Sequence, residues 1–98
     1  MSESNIIIYQ TEDGKTKIET RLENETVWLT LNQMAELFQK AKSTISEHIS
    51  NLFSEGELDK NSTVRNFRTV QFEGNRKVER LLEFYNLDVI ISVGYRVK

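Results

Sequence analysis

Two neighbouring stretches in the middle of the chain carry apolar residues at helical spacing. In both, the apolar residues recur every three or four positions, which places them on one face of a helix. The first set is Leu31, Met34, Ala35, Leu37 and Phe38, and the second is Ile45, Ile49 and Leu52. The polar residues between the members of the second set fall on its opposite face. The pattern predicts two amphipathic helices within residues 30–55, separated by a short turn.

Two helices that cross at a short turn require a small residue where their backbones approach. Ala35 is that residue in the first helix, ten positions before Ile45 in the second. Thr30 and Gln33 form a capping-box pattern at the start of the first helix, and Gly56 marks the end of the second with a left-handed cap. The two helices are predicted to form a helix-turn-helix. The first helix belongs to the framework of the domain, and the second exposes its polar face to a partner. An αα-hairpin whose outer polar residues are merely solvated fits the same spacing.

The first 29 residues have the period of β-strands. Asn5–Gln10 and residues 16–22 are strand-like runs, and the Asp-Gly pair between them is a hairpin signal. Thr26–Leu29 is predicted to be a third strand that leads into the first helix, with Trp28 as a core anchor rather than a stacking platform. We expect a β-rich part over residues 1–29, forming a small sheet that covers the helices.

Two further strand-like runs follow the helical pair. Residues 64–72 and 77–85 are rich in Val, Phe and Thr, and a Gly-Asn pair lies in the connection between them. Leu81 and Leu82 are adjacent and break the alternation, so we expect a bulge to absorb the extra residue. A hairpin over residues 63–85, directly after a helix-turn-helix, is the wing of a winged helix-turn-helix.

The last segment is predicted to be a helix over residues 87–95, although its residues are β-prone. Asn86 is a good N-cap, and Asp88 suits the positive end of a helix. The predicted fold class is α+β: a winged helix-turn-helix with an N-terminal β-hairpin or small antiparallel sheet and a C-terminal helix. The 98 residues fit a single domain over 1–98, whose parts are 1–29, 30–55, 63–85 and 86–96.

The formal net charge is −2, but the basic residues are concentrated in one segment. Residues 60–80 carry six basic and two acidic side chains, whereas residues 1–38 carry three basic and seven acidic ones. A phosphate backbone responds to local positive charge rather than to the total. The six basic residues are Lys60, Arg65, Arg68, Arg76, Lys77 and Arg80. They favour nucleic acid as a partner, unless several of them only solvate the hairpin or pair with Glu73 and Glu79.

The short polar side chains on the outer face of the second helix suit insertion into the major groove of double-stranded DNA. The residues expected to face the groove are Lys42, Ser43, Thr44, Ser46, Glu47 and Ser50. Those expected on phosphates are Arg65, Arg68, Arg76 and Lys77, the last two at the tip of the wing. A homodimer through the apolar C-terminal helix is also expected, because DNA sites are commonly read as paired half-sites. The alternative is a protein–protein interaction module that uses the same winged-helix surface, which the acidic total favours.

Four separated blocks of the chain occur in a recognisable order. They are Trp28-Leu29-Thr30, Gln33-Met34-Ala35-Glu36-Leu37-Phe38, Ser43-Thr44-Ile45-Ser46-Glu47-His48-Ile49, and Tyr85-Asn86-Leu87-Asp88 followed by Ile91-Ser92-Val93-Gly94-Tyr95-Arg96-Val97. These blocks resemble the N-terminal domain of the RhuM family of bacterial virulence-associated proteins. The resemblance implies a DNA-binding-like domain, often encoded on mobile or phage-derived DNA, and hence a transcriptional regulator or a mobile-element-encoded DNA-binding protein. Since the family continues past this point, the chain is expected to be part of a longer protein.

The turn between the two helices departs from the pattern of the resembled family. Where that family usually has Gly-Val-Ser, this chain has Gln39-Lys40-Ala41. A non-glycine residue held in the left-handed conformation costs about 1 kcal/mol. Ala41 cannot cap the second helix as Ser would, a further loss of about 1 kcal/mol. We expect a strained or rearranged turn, which affects the docking geometry more than the fold.

The sequence carries no signature of an active site, a metal site or a cofactor site. It contains no cysteine, and its single histidine, His48, lies at a helix boundary where a half-buried structural role is expected. The carboxylates are scattered, and the four glycines are too far apart for a phosphate loop. No segment has the outline of a signal peptide or a membrane span. The chain is therefore expected to be cytoplasmic, to have no enzymatic activity, and to bind neither cofactor nor metal.

Overall fold

A computed structural model describes residues 5–10, 12–24 and 26–97 of the chain. The described part has five strands, which are β1 (Asn5–Gln10), β2 (Lys17–Glu23), β3 (Thr26–Leu29), β4 (Val64–Glu73) and β5 (Arg76–Asn86). It has four helices, which are α1 (Leu31–Phe38), α2 (Lys42–Ser54), α3 (Lys60–Thr63) and α4 (Leu87–Arg96). The predicted α+β class is confirmed. Of the part predicted to be β-rich over residues 1–29, positions 1–4, 11 and 25 lie outside the described residues, as does Lys98.

The strands form one antiparallel sheet in the order β1-β2-β3-β5-β4. β3 pairs with β2 on one side and with the end of β5 on the other, so it joins the N-terminal hairpin to the β4–β5 hairpin. Its contact with β5 is short, with Trp28 opposite Asn86 and Leu29 opposite Tyr85. Within the described residues, the rest of the β4–β5 hairpin pairs with no third strand. We call this part the arm (residues 65–84).

The bulge expected at Leu81 and Leu82 is absent from the arm. All ten positions of β4 pair with β5 in one register, from Val64 opposite Tyr85 to the residues beside the turn. Leu81 and Leu82 point to opposite faces of the hairpin, as successive strand residues do. Leu82 is half-buried, whereas Leu81 is 65% exposed. The bulge is not needed, because the ladder stays regular when one of the two adjacent leucines is exposed.

Local hydrogen bonds determine where α1 begins. The hydroxyl of Thr30 accepts a hydrogen bond from the backbone N–H of Gln33 at 3.1 Å, and the Gln33 side-chain oxygen accepts one from the N–H of Thr30 at 2.9 Å. This is the predicted capping box. The side-chain amide of Gln33 also donates to the carbonyl of Glu19 at 2.9 Å, which ties the first turn of α1 to β2.

α1 and α2 end in the same hydrogen-bond pattern with different residues in the left-handed position. Gln39 follows α1 with φ at 57°, and Gly56 lies beyond α2 with φ at 75°. In both cases the N–H of the next residue donates to the carbonyl five residues back, at 3.0 Å, which is the Schellman motif. The left-handed cap predicted at Gly56 is confirmed. At Gln39 the same geometry carries a cost of about 1 kcal/mol, because the residue has a Cβ.

The helices cover one face of the sheet and build the hydrophobic core with it. The least exposed members of this core are Ile18, Leu29, Met34, Ile45, Leu52, Val89 and Val93. Ala35 belongs to the same cluster as Ile45, as expected of a small residue between two packed helices. α4 is also tied to the end of α2, since the Arg96 guanidinium contacts the carboxylates of Glu55 at 2.7 Å and Glu57 at 2.9 Å. None of the helices in the described part of the chain is both long enough and apolar enough to span a bilayer.

The short helix α3 is not evident from the apolar pattern, because its four residues are polar. Asp59 precedes it, and its carboxylate accepts a hydrogen bond from the N–H of Asn61 at 3.3 Å. The hydroxyl of Thr63 donates to the carbonyl of Asp59 at 2.8 Å, and Thr63 is only 3% exposed. This turn of helix redirects the chain from α2 into β4.

Ala41 offers a direct test of the turn between α1 and α2. It precedes α2 in an extended conformation, and no side chain caps the helix there. Ala41→Ser places a hydroxyl at this position and is expected to raise the free energy of unfolding by about 1 kcal/mol, measured by urea denaturation. Ala41→Val, which adds no acceptor, is the matched control and should give no gain. Equal denaturation midpoints for the wild type and Ala41→Ser would contradict this account of the turn.

Candidate nucleic-acid interface

The outer face of α2 carries a continuous row of polar side chains. Ser43, Glu47 and Ser50 lie above one another, because residues at positions i, i+4 and i+7 share one side of a helix. All three are exposed, on the side opposite the buried Ile45 and Ile49. The row therefore places one carboxylate between two hydroxyl groups on a surface made of short side chains.

The other three predicted groove residues on α2 flank this row. Lys42 and Ser46 are exposed beside it, and Lys42 is the first residue of the helix. Thr44 is half-buried and lies on the other side of the helix from Ser46. Five of the six predicted residues thus share an accessible surface, and Thr44 lies at its margin.

The arm ends in a tight turn. Gly74 and Asn75 form a two-residue loop between Glu73 and Arg76, which are the last paired residues. Gly74 has φ at 66°, whereas Asn75 is not among the residues with positive φ. This is the pattern of a type II′ turn, in which glycine takes the first central position. The turn matches the right-handed twist of the strands and holds Arg76 and Lys77 at the tip.

The four predicted phosphate contacts are divided between the two faces of the β4–β5 hairpin. Successive strand residues alternate in direction, and residues opposite each other share a face. The register therefore places Arg65 and Arg76 on one face and Arg68 and Lys77 on the other. The structure does not gather all four cations into one patch, but it presents a positive charge on each face beside the turn.

Two exposed ion pairs neutralise two of the arginines of the arm. Arg68 contacts Glu79 at 3.4 Å, and Arg80 contacts Glu73 at 2.6 Å. This is the pairing left open as an alternative in the sequence analysis. Within the described residues, neither Arg76 nor Lys77 forms an ion pair. Arg65 and Glu83 lie at the base of the arm and have opposite signs, so the net positive charge of the arm lies at its tip.

An aromatic cluster fixes the base of the arm on the sheet face opposite the helical core. The ring centroids of Trp28 and Phe67 lie 5.7 Å apart, and those of Phe67 and Phe84 lie 5.2 Å apart, both in edge-to-face geometry. The Arg21 guanidinium lies 4.5 Å from the centre of the Phe67 ring, and that of Arg65 lies 6.0 Å from Trp28. Trp28 is 2% exposed, so it anchors the sheet and offers no free face for stacking. Arg65 is thereby held at the base of the arm, away from its tip.

Three apolar residues of the arm are exposed on one face, and sequence reasoning missed them. Phe72 is 75% exposed, Leu81 65% and Val70 47%. The register places all three on the face that carries Arg68 and Lys77. The spacing of Phe67 and Phe72 was the available signal, because two strand residues five positions apart cannot share a face.

The described residues contain two other features that bear on chemistry. An apolar cleft of about 640 Å³ lies between the sheet, α1 and α4, and the only polar side chains of its lining are those of Tyr9 and Thr20. It offers few groups that would orient a small molecule. His48 is half-buried, and the described part of the chain has no cluster of three or more histidine and carboxylate side chains that would hold a metal ion.

Comparison with known proteins gives one finding for the C-terminal part of the chain. Residues 62–98 match the family model described as Virulence protein RhuM family. The matched segment contains the arm and α4, and it supports membership of the RhuM family. The family model does not cover α1 and α2, whose sequence blocks lie before the matched segment. Neither the curated proteins nor the solved structures gave a match.

Tyr85 reports on the packing at the base of the arm. It is half-buried beside the helical core, and its hydroxyl donates to the carboxylate of Glu83 at 3.0 Å. Burial disfavours the phenolate, and the hydrogen bond to Glu83 and the negative charge of Glu83 add to this effect. Together they raise the pKa of Tyr85 to about 12.

This pKa shift predicts a loss of stability at high pH. The pKa of Tyr85 is about 12 in the folded chain, whereas that of an unfolded tyrosine is near 10. Its contribution is therefore complete below pH 10 and is lost as the pH rises towards 12. Tyr85→Phe is expected to remove the last phase of the rise in tyrosinate absorbance in a pH titration. It should also reduce the fall in the free energy of unfolding between pH 10 and pH 12. Tyr9→Phe leaves Tyr85 and Glu83 unchanged and is the control. Loss of the late phase in that variant would contradict its assignment to Tyr85.

Proposed function

We propose that the chain binds double-stranded DNA as a winged helix-turn-helix, with α2 in the major groove and the arm as the wing. It would act as a transcriptional regulator or as a mobile-element-encoded DNA-binding protein. The observation that carries this proposal is the pair of cations at the tip of the arm, Arg76 and Lys77, in a chain whose net charge is negative. Neither forms an ion pair with any residue that the structure describes. Phosphate binding requires such a local concentration of positive charge.

The order and pairing of the elements support the winged-helix assignment. α1 and α2 lie between β3 and β4, and the β4–β5 hairpin returns to pair with β3. A hairpin that follows a presented helix and joins the same sheet is the arrangement expected of a wing. β1, β2 and α4 add to this unit without covering the outer row of α2, whose members are exposed.

The start of α2 also suits a phosphate group. The first N–H groups of a helix lack intrahelical partners, and no side chain caps this helix at Ala41. A phosphate oxygen would accept hydrogen bonds from these N–H groups and would be favoured by the positive end of the helix dipole. Lys42, exposed at the same end, adds a full positive charge. The missing cap that weakens the free protein is then compensated in the complex.

The family match supports the same setting without naming an activity. The RhuM family model covers residues 62–98, and therefore includes the tip of the arm. The description of that family refers to virulence. The sequence resemblance to the family implies a DNA-binding-like domain that is often encoded on mobile or phage-derived DNA, and the proposed role agrees with that implication.

A protein–protein interaction module is the second candidate, and an exposed stripe on α4 favours it. Leu87, Ile91 and Tyr95 are 41%, 49% and 72% exposed, and they lie on one side of the helix at intervals of four. Such a stripe fits either a second copy of the chain or another protein. Sedimentation of the wild type and Ile91→Glu over a range of concentrations distinguishes these, because only self-association would give a concentration-dependent mass that the variant loses.

The wing assignment is tested by removing the cations at the tip of the arm. Arg76→Ala with Lys77→Ala is expected to weaken binding to all duplex sequences in a fluorescence anisotropy titration. It should also reduce the slope of log affinity against log salt by about 1.8, since each neutralised phosphate contributes about 0.9. Lys15→Ala with Lys17→Ala is the matched control, because it removes the same charge from the far hairpin.

Unchanged affinity and salt slope in the arm variant would contradict the wing assignment. Absence of duplex binding by the folded wild type at about 50 mM salt, where phosphate contacts are strong, would contradict DNA binding itself. That second result would favour the protein-interaction candidate.

Glu47 tests the placement of α2 in the groove. Its carboxylate lies in the middle of the outer row, where it would repel phosphates or accept a hydrogen bond from a cytosine amine. Glu47→Gln is expected to tighten binding to random duplex by roughly two- to fivefold, because an exposed charge contributes at most about 1 kcal/mol. It should also change the preferred site in a selection from random duplexes. Glu36→Gln on the exposed side of α1 removes the same charge and should change neither; equal effects of the two variants would indicate a response to net charge only.

A further inference from the structure

Phe72 is the most exposed of the large apolar residues in the described part of the chain, at 75%. It lies one position before Glu73, the last paired residue of β4, and it is opposite Lys77. A phenyl ring left in water at the end of a strand gives up the stabilisation that burial would provide. With Val70 and Leu81 it forms an exposed apolar strip on one face of the arm, and such a strip favours contact with something outside the chain.

The charges around Phe72 favour a polyanion as that partner. Arg76 and Lys77 lie at the same end of the arm, one on each face. Arg68 is paired with Glu79, and Glu73, the residue opposite Arg76, is paired with Arg80, so that neither carboxylate is left to neutralise the two tip cations. Arg65 and Glu83, the other charges of the arm without a described ion pair, lie at its base and have opposite signs. A tip with one cation on each face is complementary to a groove walled by phosphates on both sides. A protein surface would not require this division of charge.

Only the tip of the arm is narrow enough to enter the minor groove of DNA. The two strands lie about 4.8 Å apart, and with side chains they exceed the width of about 6 Å of an undisturbed minor groove. Proteins that enter this groove commonly insert an apolar side chain between base pairs, which opens the groove and bends the duplex away from it. Phe72 beside the type II′ turn is in the position that such an insertion requires.

The base of the arm provides the support that insertion requires. Phe67 and Phe84 pack edge-to-face with each other, and Phe67 also packs edge-to-face with the buried Trp28. This cluster lies on one face of the sheet, and Tyr85 packs against the helical core on the other. The arm is therefore clamped from both sides where it leaves the sheet, so that force on its tip is transmitted to the folded body.

We infer that the tip of the arm enters the minor groove of double-stranded DNA and that Phe72 inserts between base pairs and bends the duplex. Arg76 and Lys77 then contact the phosphates of the two groove walls. This inference rests on the proposed DNA-binding function and adds the groove, the wedge residue and the deformation. Flexible pyrimidine–purine steps are the favoured sites, because they unstack at the lowest cost.

The test measures binding and bending separately on one duplex. A duplex of about 30 base pairs with a central TA step carries a donor and an acceptor at its ends, so that bending raises energy transfer while anisotropy reports binding. Wild-type protein is expected to raise the transfer by an amount that corresponds to a bend of about 20–90°. Phe72→Ala is expected to remain bound but to leave the transfer at the value of free duplex. Phe72→Leu keeps an apolar wedge and should restore the bend.

Leu81→Ala is the matched control, because Leu81 is on the same face and similarly exposed but lies far from the tip. It should bend the duplex as the wild type does. Wild-type binding without a change in transfer, or equal bending by Phe72→Ala, would overturn the inference and leave DNA binding intact. Failure of the wild type to bind the duplex would overturn both. A dimer in sedimentation that Phe72→Ala abolishes, with no effect on bending, would assign the exposed strip to a second copy of the chain and would also overturn the inference.

Discussion

The junction of β3 with β5 is the contact on which the rest of the structure depends. Trp28 and Leu29 are neighbours in β3, each 2% exposed, and they point to opposite faces of the sheet. Leu29 enters the core beneath the helices, and Trp28 enters the aromatic cluster at the base of the arm. Because both residues pair with the end of β5, one short ladder connects the helices, the N-terminal hairpin and the arm. Loss of packing on either face would release the arm from the body that carries α2.

The charged residues of the arm contribute little to its stability, but their positions determine where the arm is positively charged. Exposed ion pairs such as Arg68 with Glu79 contribute about 0–1 kcal/mol, so these pairs do little to hold the strands together. They do cancel the charges of Arg68 and Arg80 and leave Arg76 and Lys77 as the local excess at the tip. A net charge of −2 for the whole chain is compatible with a positive tip, because screening confines each charge to its surroundings within about 10 Å.

The two surfaces proposed to meet DNA have different chemistry and would have different tasks. The row on α2 is made of hydroxyl groups and one carboxylate, Glu47, which suit hydrogen bonding to base edges in a major groove. The tip of the arm combines two cations with the exposed ring of Phe72, which suits phosphate contact and deformation of a minor groove. Direct reading of bases and reading of deformability would then come from separate elements of one small domain. Strain at Gln39 and the missing cap at Ala41 lie between the helices of the first surface, where a bound phosphate would offset part of the cost.

Local chemistry in the sequence determined many of the elements and their ends. The capping box of Thr30 and Gln33, the glycine cap at Gly56 and the tight turn at Gly74 each depend on residues within a few positions of one another. Their hydrogen bonds and backbone conformations could therefore be predicted, as could the position of Arg76 and Lys77 at the tip.

Only the tertiary structure decided how the strands align and what each face contacts. The sequence predicted a bulge at Leu81 because it did not reveal that this leucine would be exposed. The exposure of Phe72, the pairing of Arg68 with Glu79 and the packing of Trp28 against Phe67 all depend on register between residues distant in the chain. Strand periodicity assigns alternate residues to two faces, but it does not say which face is buried or for how much of the strand. That choice follows from the short pairing of β3 with β5 and from the helices, which cover one face of the sheet and leave the distal arm exposed.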